Sequence, residues 1–467
     1  MDHCPLPYNF VHPPVKVKCF SIDEYPYGEV DFLEYPASRG WKHSDLNGYS
    51  QIHHGIETTI SSMAPQPGPV RTPTERNPTF QTWAFFGLMS EVFQKQVTRA
   101  SFISVGEDGQ EYIDTSVFPK LVRDFIFQVR AQSDGGPEEQ EAKSWKCIDV
   151  VLSCLQQMKD LISGVQARDG VAPEILDEAL ALSLEILLND LLPAMTQAYE
   201  TIIPQELSEY LDKEGIVLEG DSPAQNPTEV PFLSLYFQRR LKEDGWCTTE
   251  IERIYHSMPS PPSRYYISML DRPQPELSHK DCTSSSCIYW GMKETKYITK
   301  HTTDDCACED VAMPQVDVEA ILEHGSYPLI VPDLTNAGPD GKLYVKMVPS
   351  SPERKYVAIS HVWADGMGNP GANMIPLCLF KHLSKMVREA FGAASDVYFW
   401  FDTLCFPLKP DEAYKKAMEA MRDTYEHADL VLVIESYLMS QDFAPITEDE
   451  ACLRILCSRW SGRLWTF

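Results

Sequence analysis

Positive charge is scarce in this sequence: 467 residues carry 40 Lys+Arg against 68 Asp+Glu, a formal net charge of −28. Such a chain repels a polyanion overall, so nucleic acid is not expected as a partner, and tight docking on an anionic membrane is disfavoured for the same reason. Long apolar runs are also missing. The most apolar stretch, near Leu180–Leu192, is interrupted by Glu185 and Asp190 and reads as an amphipathic helix, so no membrane span is expected. The opening MDHCPLPYNF has neither a basic start nor an apolar core, which argues against a secretory signal. The expected compartment is therefore the reducing cytoplasm, where the 13 cysteines serve as thiols or metal ligands and not as a disulfide framework. There is no G-x-x-x-x-G-K-[ST] loop, no G-x-G-x-x-G after a strand and no repeat of fixed period.

What is present is a folded composition, 43% hydrophobic and 23% charged, long enough for two or three cores. Residues 1–80, rich in Pro, Tyr, His and Gly, read as an irregular arm, with a proline-dense loop at 64–78. Residues 81–245 read as a helical domain. Phe118, Leu121, Val122, Phe125 and Val129 form one stripe at helical spacing, and Leu180, Leu184, Leu187, Leu188 and Leu191 another. Within it, residues 131–230 hold 20 acidic and 5 basic side chains, most simply solvated helix faces. Loops are expected at 133–141, 221–231 and 257–276, and a helix near Thr249, where Thr249 and Glu252 have capping-box spacing.

From 327 to 467 the pattern changes. Short β-rich runs at 328–334, 342–348, 356–363, 397–402 and 429–435 alternate, over the last three, with helical stripes such as Leu379, Leu383, Met386 and Val387. This predicts βαβ units and a parallel sheet. The carboxyl ends of parallel strands gather ligands. Here they would deliver Ser360, His361 and Trp363, then Asp402 and Cys405, then Glu435, around one rim. The loop after Trp363 carries Asp365, Gly366 and Gly368, and glycines let backbone approach a phosphate closely.

Between the two regions, 246–326 reads as a metal-ordered segment. His279, Cys282, Cys287, His301, Cys306 and Cys308 crowd into thirty positions, although Cys and His together make up only 25 of 467 residues. Cys282, Cys287, His301 and Cys306 would make one Cys3His site of the kind a structural zinc takes; His279 or Cys308 could substitute, and Cys247 lies near enough to join. The alternative is a set of unrelated thiols and loop histidines. The segment has little hydrophobic periodicity, so a metal would supply ordering energy that a core does not.

YVAISHVWADGMGNP, FWFDTLCFP, KKAMEAMRDTYEHADLVLVIE and SRWSGRLWT, taken together and in this order, resemble the fungal heterokaryon incompatibility (HET) domain over roughly 350–467. The upstream GWC and the Cys/His cluster are similar to segments that precede this domain in some larger members. The resemblance implies a cytosolic fungal protein acting in nonself recognition and programmed cell death, with self-association of the domain and an incompatibility partner protein. It also implies an architecture similar to Toll/interleukin receptor-type (TIR) domains, a flavodoxin-like parallel sheet, some of which cleave NAD between nicotinamide and ribose. In those enzymes a glutamate is essential. In the HET family RxWT is usually followed by one residue and then Gln-Glu, so the resemblance puts that glutamate just beyond Phe467: either the natural chain is longer, which the family pattern favours, or this protein has lost the group.

On this reading NAD is the expected substrate, and Asp402 and Glu435 are the in-chain carboxylates best placed to stabilise positive charge developing on the ribose. Each neighbouring residue has a plainer alternative. Asp402 could instead cap the next turn, and His361 could be hydrogen-bonded structure and not an acid or base. Cys405 could be core packing and not a nucleophile. Trp363 and Trp465 are the rim aromatics that could stack on a ring, and Arg463 could pair with a phosphate or equally with an acidic neighbour.

Overall fold

The computed structural model describes residues 1–41, 71–131, 139, 142–151, 153–154, 176–199, 236–258, 260–272, 279–287, 297–392, 397–408 and 411–462. The chain divides into two compact units, one of residues 1–245 and 253–271, the other of 246–252 and 272–467. The loops expected at 133–141 (Glu139 apart) and 221–231 lie outside the described residues.

The first unit is mainly helical: α1 (Tyr35–Ser38), α2 (Pro73–Phe80) running into a π-helical turn at Gln81–Gly87, α3 (Leu88–Val92), α4 (Phe118–Ala131), α5 (Glu178–Tyr199) and α6 (Tyr236–Glu243). Helix α7 (Thr248–Ser257) follows, and α8 (Pro261–Ile267) returns to this unit. Residues from the irregular arm, among them Val17, Tyr25, Phe32 and Tyr35, are buried in the same cluster as Trp83, Phe86 and Leu184.

Four local expectations need correction. Residues 73–78, expected as loop, begin a helix: Pro73 stands in the first turn, where its missing N–H costs nothing, and Glu75 accepts from the Thr72 amide at 2.9 Å. Pro261 starts α8 inside the expected 257–276 loop in the same way. A small antiparallel sheet, in the order β1 (Val17–Lys18), β3 (Glu111–Ile113), β2 (Ile103–Val105), interrupts the helical region; its strands are too short to show a period. Over 180–188 helix α5 is buried on every side, with Leu180, Leu182, Leu184 and Ile186 all 0% exposed, while Pro193 and Gln197 further on are exposed. By length and composition it could cross a membrane, and its burial is that of a central core helix, not an amphipathic one.

The second unit holds β4 (Asp310–Ala312), α9 (Gln315–Glu323), β5 (Pro328–Ala337), β6 (Leu343–Pro349), β7 (Tyr356–His361), β8 (Met374–Pro376), α10 (Leu377–Phe391), β9 (Tyr398–Phe401), α11 (Asp402–Cys405), α12 (Glu412–Glu426), β10 (Leu430–Ile434), α13 (Ser436–Met439) and α14 (Glu448–Cys457). Its sheet has seven strands in the order β10-β7-β9-β5-β6-β4-β8. The sheet is mixed and not parallel throughout. Strands β10, β7 and β9 are parallel, while β5 pairs antiparallel with both β6 and β9, and β4 antiparallel with β8. The loop joining β5 to β6 is five residues long and leaves no room for a crossover, so that pair must be antiparallel.

The parallel trio positions the site. From β7 the chain crosses through α10 to β9 on one side, then through α12 to β10 on the other. Right-handed crossovers in opposite directions put the two helices on opposite faces. The contacts agree: Phe399 of β9 packs on Phe380 of α10, and the next residue, Trp400, packs on Tyr425 of α12. The direction of winding therefore reverses at β7, which opens a crevice beyond its carboxyl end, beside β10. All six residues of β7 are buried, as a central strand covered on both faces requires.

Candidate functional site

The carboxyl ends of β7, β9 and β10 lie side by side. Ile434 pairs with His361, and Ile359 with Phe401, so His361, Asp402 and Glu435 emerge at one level. Asp402 leaves β9 at the first turn of α11. Its Oδ1 lies 2.8 Å from His361 Nε2 and accepts the Thr403 amide at 2.6 Å, while Oδ2 accepts the Trp363 indole N–H at 2.7 Å. Burial by itself would raise the Asp402 pKa; the His361 imidazole, the Trp363 indole and the Thr403 amide outweigh it and hold the carboxyl below its ordinary value. His361 is sandwiched between Phe401, at 4.7 Å, and the stacked ring of Trp363, at 5.8 Å between centroids. Asp402 thus fixes an imidazole and an indole at the rim, with both of its oxygens engaged.

Glu435 is 0% exposed. Its Oε2 caps α13 by accepting the Leu438 amide at 2.9 Å, and its Oε1 has no hydrogen-bond partner among the described residues. Burial pushes its pKa up; the Leu438 amide opposes this, the Asp365 carboxylate adds to it, and Arg459 works against it. Asp365 binds the same helix start, accepting the Ser436 amide at 2.8 Å and the Ser436 hydroxyl at 3.0 Å. Arg459 is itself buried, with Nε and Nη2 unpartnered among the described residues. It follows α14, where a buried pair with Glu450 at 2.9 Å holds Arg454, which in turn donates to the Tyr437 hydroxyl of α13 at 3.0 Å. The Trp460 indole beyond it donates to Ser360 Oγ at 2.8 Å. A buried carboxylate oxygen and a buried guanidinium, both short of partners, are the groups here with capacity left for a ligand.

The other expected residues divide. Gly366 has φ +89°, a backbone conformation that favours glycine, and a Cβ there would meet Lys300 at 2.7 Å; a Cβ on Gly368 would meet the Trp363 ring at 2.6 Å. Their small size lets Lys300 and Trp363 close over the loop. Cys405 is 1% exposed in the core below the rim, and burial pushes its thiol pKa up, which opposes a nucleophilic role. Arg463 and Trp465 lie outside the described residues.

The six expected metal-binding residues do not form one site with substitutes. They split into two clusters, and each gains a cysteine from elsewhere: Cys247, His279, Cys282 and Cys287 in one, His301, Cys306, Cys308 and Cys378 in the other. In the first, His279 Nδ1 lies 3.5 Å from Cys282 Sγ and 3.6 Å from Cys287 Sγ, and the two sulfurs are 3.8 Å apart. In the second, His301 Nδ1 lies 3.5 Å from both Cys308 Sγ and Cys378 Sγ. A tetrahedron with zinc–sulfur bonds of about 2.3 Å and zinc–nitrogen bonds of about 2.0 Å has edges of about 3.8 Å and about 3.5 Å, so the ligand atoms stand where such an ion needs them. Each cluster could hold a metal ion. Burial, with Arg272 and Arg459 nearby, lowers the His279 pKa to about 4, which leaves the imidazole neutral as a ligand must be.

Cys247 is held at the start of α7, where Glu250 accepts its amide at 2.8 Å. The reciprocal cap therefore sits two residues earlier than the Thr249–Glu252 spacing suggested. Cys378 was missed because it lies seventy residues from its partners. The pairing of β4 with β8 supplies the link: Asp310 faces Pro376, so the same register continued by two residues sets Cys308 opposite Cys378.

Residues 356–445 match the family model of the heterokaryon incompatibility protein (HET). The match begins at β7, runs through β9 and β10, and includes the rim residues His361, Asp402 and Glu435 as well as Cys378. No curated protein and no solved structure matches the chain.

Proposed function

We propose that the chain acts in heterokaryon incompatibility, as a cytoplasmic protein of nonself recognition and programmed cell death with an incompatibility partner protein, and that its rim cleaves NAD at the nicotinamide–ribose bond. The observation that carries the catalytic part is Glu435: a buried carboxylate at the point where the winding reverses, with one oxygen fixed on α13 and the other unpartnered. Among the described residues, Glu435 is the carboxylate whose surroundings suit the chemistry.

In the reaction the C1′–N bond breaks and its electron pair leaves on the nicotinamide nitrogen. Positive charge develops on the ribose, water adds to C1′, and the proton of that water passes to a carboxylate and then to solvent. Ionised Glu435 would stabilise the developing charge, in a setting where little solvent competes. Arg459 has N–H groups that could donate to a phosphate oxygen. Asp402 positions Trp363 and His361 and does not itself meet the substrate. The test is nicotinamide release, followed by chromatography, from NAD incubated with the protein across a concentration series. Glu435 is the residue whose loss should stop turnover. Asp402→Asn should act mainly through a raised KM, by about tenfold, because the indole and imidazole lose their anchor. No release at any concentration, from a protein that still causes death, rejects the enzymatic reading.

A second reading, a non-catalytic self-associating module, has its own support. Among the described residues β10 is an edge strand with Leu430 42% and Val431 45% exposed. Val431→Lys is then expected to shift the protein to a smaller species in sedimentation; an unchanged mass at equal concentration counts against this edge.

We take the metal in both clusters to be zinc with a structural role. Three thiolates and one imidazole fill all four positions and leave none open for a substrate.

A further inference from the structure

The second Cys/His cluster adjoins the rim through a short strap of chain. Residues 297–300 run along the loop after β7 and bind it four times. The Tyr297 hydroxyl donates to the Trp363 carbonyl at 2.7 Å and accepts the Gly368 amide at 2.9 Å. The Thr299 hydroxyl donates to the Gly368 carbonyl at 2.8 Å, and the Lys300 amide to the Gly366 carbonyl at 2.8 Å. The next residue is His301, a member of the cluster. Thr302 then donates its amide to Cys378 Sγ at 3.3 Å, and Cys378 donates its own amide to Cys308 Sγ at 3.3 Å.

The strap has no helix or strand of its own among the described residues. Ile298 is 76% exposed, and the apolar contact of the strap is the part-buried Tyr297 ring, 6.3 Å from the Trp363 ring between centroids. What ties it to the sheet is the cluster, whose fourth member stands in the first turn of α10. We propose that a zinc ion bound by His301, Cys306, Cys308 and Cys378 clamps this strap to α10 and so holds the Trp363–Gly368 loop, and Trp363 with it, against Asp402.

The ion thereby acts as a positioning device for the rim, reached through backbone and hydroxyl contacts and not through the substrate. The other cluster makes no hydrogen bond to the loop among the described contacts; it reaches the rim only electrostatically, Arg459 acting on both His279 and Glu435. This inference rests on the zinc reading of the clusters, and the two can fail separately.

Native mass spectrometry of the full chain should count two zinc ions, falling to one in Cys378→Ser and to one in Cys282→Ser. Amide hydrogen exchange then separates the variants. In Cys378→Ser exchange over 363–368 should rise by about tenfold or more, while Cys282→Ser should leave it unchanged. Tyr297→Phe, which keeps every ligand and removes two of the four bonds, should keep both ions and still speed exchange in the loop. A wild-type chain that binds no zinc ends the metal reading itself. Loss of one ion in Cys378→Ser with unaltered exchange at 363–368 overturns the strap while leaving zinc in place, and retention of two ions overturns the assignment of Cys378.

Discussion

Glu435→Gln is expected to lower nicotinamide release by ~10²–10³-fold while raising the thermal midpoint of the protein at neutral pH. The two effects have one cause. Burial raises the Glu435 pKa, so the fold prefers the protonated carboxyl. For a group whose folded pKa lies above its unfolded value of 4.5, the stabilising contribution is complete below that value and is lost as pH rises through the folded pKa. At pH 7 the ionised side chain therefore weakens the fold. Glutamine cannot ionise, and its carbonyl oxygen can still accept the Leu438 amide. The gain in the variant should be present at neutral pH and should fade as the pH approaches the unfolded value. Thermal melts across pH, run beside the release assay, test both halves. A variant that is less stable than wild type at pH 7, or that releases nicotinamide at the wild-type rate, removes Glu435 from the proposed role.

Removing metal from the cluster of Cys247, His279, Cys282 and Cys287 is expected to have a larger structural effect. Residues 279–287 contain no helix or strand. Among the described residues, their backbone–backbone bonds make two local turns, Cys282 to His279 and Thr283 to Ser286. One side-chain bond, from Thr249 to the Thr283 carbonyl at 2.6 Å, ties the segment to α7. Cys247 and Cys287 are buried at 0% and 4% exposure, and an ion would supply the bonds that hold their sulfurs together. Chelation, or Cys282→Ser, should release this segment and cost on the order of 4 kcal/mol. Calorimetry and hydrogen exchange on chelated and zinc-reloaded protein make the comparison. A metal-free protein with the same midpoint, and the same protection over 279–287, would show that the hydrogen bonds and burial suffice.

Between them these predictions separate two kinds of information in the chain. The parallel strands at the rim were legible because each is a short apolar run closed by a polar residue, so His361, Asp402 and Glu435 could be placed at strand ends before any coordinates. The mixed character of the sheet was not legible, because the hairpin of β5 and β6 and the paired β4 and β8 are set by loop length and by pairing partner. Helix α5 was misread for a related reason: Glu185 and Asp190 suggested a solvent face, yet Glu185 is 1% exposed inside the core. A residue pattern reports polarity, and burial depends on what packs around it.

The same division holds at the two candidate sites. By itself the sequence determined which chemistry was available: carboxylates at strand ends, and a density of cysteine and histidine beyond chance, because residue type and local spacing are written directly in the chain. Tertiary structure alone decided how those groups combine. It sent His279 and His301 to different clusters, recruited Cys247 through a helix cap and Cys378 through a strand register, engaged both oxygens of Asp402, and left one oxygen of Glu435 unpartnered. Coordination and hydrogen bonding act over a few ångströms in space, and distance along the chain carries little information about that separation once strands pair across seventy residues.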